Sequence, residues 1–148
     1  MAGGTGRIVV GVDGSGSSRA ALRSALEQAR LTGAPVDAVM AWRYSDIWAP
    51  AAGCDVDFSG QAEKELAEIL KQEAGEEPGM PVNPVVAEGQ AAEVLLGTAR
   101  DADLLVVGSR GRGGFTSMMV GSVSLHCVLH ARCPVLVLRD GREGHGQE

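Results

Sequence analysis

Short, nearly continuous apolar runs rich in β-branched residues recur along this chain, and between them the hydrophobic residues fall at helical spacings of three and four. This alternation commits the chain to parallel strands, because each return across a sheet needs a helix to carry it. The first strand is read over Arg7 to Val12. Ser18 to Thr32 follows as a helix, with Ala21, Leu22, Ala25, Leu26 and Ala29 on one face and Gly33 placed to stop it. Strands over Val36 to Trp42, Val82 to Ala87, Leu104 to Val107 and Val135 to Leu138 alternate with helices over Gln61 to Ala74, Gln90 to Arg100 and Val123 to Ala131. The fold class is α/β, an open five-stranded parallel sheet with helices on both faces. Residues 43–60 have no regular period and read either as a lid over a site or as a variable surface loop. Glu63, Glu65, Glu68 and Glu73 read as a solvated helix face and not as a metal site.

Composition narrows the functional classes. A chain of 148 residues is one domain, large enough to bury about two-thirds of its unfolded surface. Hydrophobic residues make up 45% but only five are aromatic, so the core is Val, Leu, Ala and Ile, and no stacking platform for single-stranded nucleic acid exists. A net charge of −6 argues against a duplex-binding surface, which would be basic, so no nucleic-acid partner is expected. No apolar stretch reaches membrane-spanning length and residues 1–6 lack the features of a signal peptide, so no membrane association and a cytoplasmic location are expected. Cys54, Cys127 and Cys133 lack metal-ligand spacing; free thiols are the expectation, with Cys127 and Cys133 as buried small hydrophobes.

Two strand-to-helix junctions carry the chemistry. Leu104-Leu105-Val106-Val107 reads as a fully buried strand, and Gly108-Ser109-Arg110-Gly111 follows it. Gly108 and Gly111 would let backbone amides approach a ligand, and Ser122 is placed to cap the helix over Val123 to Ala131. Unpaired amides at that helix start, with the positive end of its dipole, favour an anion. Glycine is common here, at 21 residues, so two glycines alone would discriminate little. The second junction is Ile8-Val9-Val10-Gly11-Val12-Asp13-Gly14-Ser15, again a strand running into a polar turn and a helix.

The spacing Gly108-x2-Gly111-x9-Gly121-Ser122, the first strand ending in Val12-Asp13, and the closing Cys133-Pro134-Val135-Leu136-Val137-Leu138 together resemble the universal stress protein family, in its ATP-binding branch. The resemblance implies strand order 3-2-1-4-5, with a cleft at the carboxyl ends of the first and fourth strands. It implies a domain over residues 7–139, flanked by a flexible 1–6 and a disordered tail at 140–148. By resemblance, Gly108, Arg110, Gly111, Gly121 and Ser122 take ribose and phosphates, while Val123 and Ser124 continue the phosphate-facing helix start. Val12 and Asp13, with Gly14 and Ser15 completing the turn, and Val107 beside them line the nucleotide, and the backbone of Ala41 meets adenine. ATP with Mg²⁺ is the implied ligand. Asp13 is the implied Mg²⁺ ligand and is favoured in that role over the alternative of a turn residue before Gly14. A homodimer through Val135, Leu136, Val137 and Leu138 is also implied, and an apolar strand with no crossover after it suits edge pairing.

Missing motifs limit the mechanism. There is no P-loop, and the only lysines, Lys64 and Lys71, lie in the charged second helix, away from the expected cleft. The dinucleotide fingerprint is not met after the first strand. His126 and His130, four apart, have a metal-compatible spacing but no third ligand, and a helix-surface or dimer-contact role is favoured. The resemblance implies an ATP-binding protein with regulatory or stress-protective output, ATP acting mainly as a bound ligand. Slow ATP hydrolysis or autophosphorylation on Ser122 or Ser124 is the enzymatic alternative, and a nucleotide-independent interaction module is the third.

Overall fold

The computed structural model describes residues 6–43, 57–110 and 121–139. In chain order the elements are β1 (Ile8–Gly11), α1 (Gly16–Thr32), β2 (Val36–Trp42), α2 (Phe58–Ala74), β3 (Val82–Glu88), α3 (Ala91–Thr98), β4 (Leu104–Gly108), α4 (Ser122–His130) and β5 (Val135–Leu138). All strand pairs are parallel, in the order β3-β2-β1-β4-β5, as expected. Ile8 stands opposite Val36 on one side and Leu104 on the other, so the order reverses between β1 and β4. Open α/β sheets hold ligands at the carboxyl ends of the strands flanking such a reversal.

The alternation of side chains along each strand splits the core between two faces. Ile8, Val10, Met40 and Val106 pack with Leu22, Leu26, Leu66 and Ile69 of α1 and α2. Val9, Val39, Leu105 and Val107 pack on the opposite face with Leu95 of α3 and Cys127 of α4. Cys127 is fully buried, and burial, with Cys133 beside it, pushes its thiol pKa up to about 11, so it serves as a protonated small hydrophobe. Cys133 is half-buried, less enclosed than its sequence position suggested, and Leu104 likewise keeps partial exposure.

All four helix starts differ from the sequence expectation, α3 by one residue and the other three for a capping reason. Asp57 accepts from the Gly60 amide at 2.9 Å, so α2 begins at Phe58, ahead of Gln61. Ser15 caps α1, which therefore starts at Gly16. The cap of α4 is Gly121, and Ser122 is the first helical residue, not the cap.

Ionic contacts tie elements together. Arg7 donates to Asp37 at 2.9 Å and Asn83 to the other Asp37 oxygen at 3.1 Å, spanning the amino ends of three strands. Arg19 and Arg23 of α1 each donate to one Glu73 oxygen of α2 at 3.0 Å. Burial raises the Glu73 pKa, but the hydrogen bonds from Arg23 and Arg19 outweigh it, so the carboxyl sits below its ordinary value. Among the described residues no helix is long and apolar enough to cross a membrane. The expectations for Gly111, for Cys54, for most of the 43–60 loop, and for both chain ends fall outside the described residues.

Candidate functional site

The chain leaves β1 through Val12, whose amide still bonds the Val39 carbonyl at 2.8 Å. Asp13 then accepts from the Ser15 amide at 2.9 Å, and Gly14 takes φ +88°, a left-handed conformation that suits glycine. The Ser15 hydroxyl accepts from the Ser18 amide at 3.3 Å. Ser18 in turn accepts from the Asp13 amide at 3.2 Å and donates to the Ser15 carbonyl at 3.1 Å. The amino end of α1 is thus capped by its own turn.

Ser17 reaches across to the second junction, donating to the Arg110 carbonyl at 2.6 Å and accepting from the Arg110 amide at 3.3 Å. The two junctions touch closely because Gly108 has no side chain. A Cβ there would lie 2.5 Å from Ser17 Oγ, 2.6 Å from the Ser17 carbonyl carbon and 2.7 Å from the Ser18 amide. The sequence motif suggested ligand approach as the reason for this glycine; the vector of its missing Cβ points to helix approach.

On the β4 side, the Ser109 amide donates to Leu138 at 2.7 Å and its carbonyl accepts from the Gly121 amide at 2.6 Å. The Ser124 hydroxyl donates to the Gly108 carbonyl, fixing the first turn of α4 over the end of β4. Gly121 caps α4 in an extended conformation (φ −66°, ψ 161°) and brings no side-chain cap bond. The first intrahelical bond runs from the Leu125 amide to the Gly121 carbonyl at 3.0 Å, so the amides of residues 122–124 precede it.

A cleft opens between the junctions. It brings together Val12, Asp13, Ala41, Val107, Gly108, Arg110, Val123 and Ser124, eight of the thirteen positions singled out from the sequence. Gly14 and Ser15 do not line it, because they build the α1 turn and cap. Gly121 and Ser122 flank the helix start without lining it, and Gly111 is outside the described residues. Sequence reasoning missed Gly11, Ser18, Val39, Ala91 and Leu95. Two signals were available: Val39 shares a strand face with Ala41, and Ala91 and Leu95 are one helical turn apart. Asp13 and Arg110 are the charged lining residues, set among aliphatic side chains. Such a wall of aliphatic groups with a few polar ones suits a flat apolar ring carrying an anionic tail.

Asp13 contributes one carboxylate, one oxygen of which is engaged by the Ser15 amide. No group of three or more His, Cys, Asp or Glu suited to a metal occurs among the described residues. A lone carboxylate fits Mg²⁺ that arrives with a ligand's phosphates and keeps its waters, not an ion held by protein alone.

The model of the universal stress protein family matches residues 4–139. A universal stress protein of Mycobacterium tuberculosis is 42% identical over 136 residues, which cover 89% of this chain and 45% of that protein. A second from the same organism is 38% identical over 136 residues, covering 90% of this chain and 45% of its own length. The chain thus spans less than half the length of these curated relatives. Among solved structures, a universal stress protein from Archaeoglobus fulgidus in complex with dAMP is 27% identical, with a TM-score of 0.61, covering 89% of this chain and 96% of that one. A family protein from Arabidopsis thaliana with AMP bound shares the fold at 24% identity, with a TM-score of 0.62 and 90% coverage of both chains.

Proposed function

Because the chain belongs to the universal stress protein family, we propose that its cleft binds an adenine nucleotide, ATP with Mg²⁺, as a regulatory ligand. The observation that carries this reading is the start of α4: its glycine cap supplies no side-chain acceptor, and it borders a cleft that also holds Arg110. Unpaired amides and a guanidinium beside one another favour phosphate. The Archaeoglobus fulgidus relative, bound to dAMP, supports an adenine nucleotide as the ligand class. The adenine ring lies against the backbone of Ala41 and the side chains of Val39 and Val107, and the phosphates extend toward residues 122–124. Asp13 holds Mg²⁺ together with those phosphates.

Without a P-loop lysine, this site binds triphosphate but activates a nucleophile poorly, so turnover stays far below the median enzyme rate of about 10 per second. The edge position of β5, with Leu136 exposed, supports pairing with a second copy through Val135 to Leu138. Titration calorimetry with ATP and Mg²⁺, alongside mass spectrometry of ligand released from the purified protein, tests the proposal. Saturable heat and a copurifying adenine nucleotide are expected. Absence of binding to both ATP and AMP overturns it.

A further inference from the structure

Ser17 does not line the cleft and is 3% exposed, yet it makes the tightest side-chain link between the two junctions. We propose that Ser17 is a positioning residue for the phosphate end of the bound nucleotide, acting through Arg110; this rests on the nucleotide reading above. Its single hydroxyl serves both backbone polar groups of Arg110, donating to the carbonyl at 2.6 Å and accepting from the amide at 3.3 Å. A residue gripped at both groups has its backbone dihedrals held, and with them the direction in which its side chain leaves the chain. Arg110 is one of the two charged groups that line the cleft, so Ser17 sets where positive charge meets phosphate. The grip cannot drift, because the Ser17 backbone is packed into the space left by the missing Cβ of Gly108. The same bonds occupy the Arg110 amide, so the guanidinium and the α4 amides meet the phosphate, and the Arg110 amide does not.

A residue acting on the phosphate end alone leaves recognition of the base untouched, and that separates positioning from general support of the fold. AMP and adenosine, titrated side by side, are the probes. Ser17→Ala is expected to weaken AMP by about tenfold while adenosine changes by less than about twofold, the size of one lost hydrogen-bonded contact to a charged ligand. Ser17→Thr, which retains the hydroxyl, restores the AMP affinity. Ser17→Cys, which keeps the shape but weakens both bonds, shifts the AMP-to-adenosine ratio in the same direction and decides the matter if the alanine variant does not fold. Equal losses for both probes, or an unchanged ratio in the folded variants, overturn the inference while the nucleotide reading stands. A wild type that binds neither probe overturns this inference, and the nucleotide reading falls with it only if ATP is not bound either.

Discussion

The junctions from β1 into α1 and from β4 into α4 lie side by side at the carboxyl end of the sheet, but they treat the loose amides of a helix start in opposite ways. At α1, Ser15 turns its hydroxyl back onto the Ser18 amide, and Ser18 closes the loop onto Asp13 and Ser15. At α4, the cap is Gly121, which has no side chain to turn back. The first junction turns its hydroxyls onto its own helix start and, through Ser15 and Ser17, onto the Arg110 backbone; the second has no side-chain cap for its first amides. The lesson is that a helix start becomes an anion site through what its cap lacks, and that a well-capped neighbour supplies the rigid wall against which it works.

The contrast breaks most severely if the junctions are forced apart. Gly108→Ala places a Cβ 2.5 Å from Ser17 Oγ and 2.6 to 2.7 Å from backbone atoms of Ser17 and Ser18. Backbone cannot swing aside as a long side chain can, so a loss of about 3 kcal/mol is expected in urea-denaturation experiments. A stability within error of wild type would mean that the two junctions are not rigidly packed.

Next in size is a substitution that makes the second junction behave like the first. Gly121 sits at φ −66° and ψ 161°, which any residue adopts, so Gly121→Asp introduces a capping carboxylate without backbone strain. It fills the amides that phosphate would use and places negative charge beside the site. ATP affinity is expected to fall by about thirtyfold or more, near 2 kcal/mol, while unfolding stability holds or rises. Calorimetry and denaturation on the same preparation distinguish this from simple damage; unchanged ATP affinity would place the phosphates elsewhere.

Removing the cap from the first junction is the milder counterpart. Ser15→Ala should cost about 1 kcal/mol of stability, read from the denaturation midpoint, with nucleotide affinity changed by less than about threefold. A large affinity loss with little destabilisation would instead make Ser15 a ligand-facing residue.

The smallest effect concerns the far flank of α1, anchored to α2 through Glu73. A carboxyl held below its ordinary value stabilises the fold above its unfolded-state pKa of about 4.5, and the contribution fades as pH falls through the lower folded value. Glu73→Gln should therefore cost less than about 1 kcal/mol at neutral pH and lose less stability than wild type below about pH 4.5. Melting curves from pH 7 to pH 3 would show the two proteins converging as acidity increases. Parallel curves would mean that the ion triad contributes nothing measurable.

The sheet and the location of the cleft were legible because they depend on features with a period or a fixed spacing. Apolar strand runs, helical stripes and the glycine triad all survive as patterns along one dimension. Gly33 was legible as the stop of α1, but the amino-terminal caps were not legible to the residue. Gly-Ser occurs at Gly14-Ser15, Gly16-Ser17, Gly108-Ser109 and Gly121-Ser122, so the dipeptide does not single out a cap; the Ser124 bond to the Gly108 carbonyl and the Ser17 bonds to Arg110 belong to tertiary packing. Asp57 was hidden for another reason: it caps α2 from inside a stretch without period, with Gly60 masking the first turn. Ala91 and Leu95 escaped notice because aliphatic lining residues carry no chemical signature, only position.

The bond from the Gly121 amide to the Ser109 carbonyl closes a neck, and the Ser109 amide anchors one side of that neck to Leu138 of β5. The backbone of Ser109 thus couples the cap of α4 to the end of the edge strand, with one partner on each side. A displacement of β5 therefore reaches the cap of α4 through one residue, which makes the outer edge of the sheet a lever on that helix start.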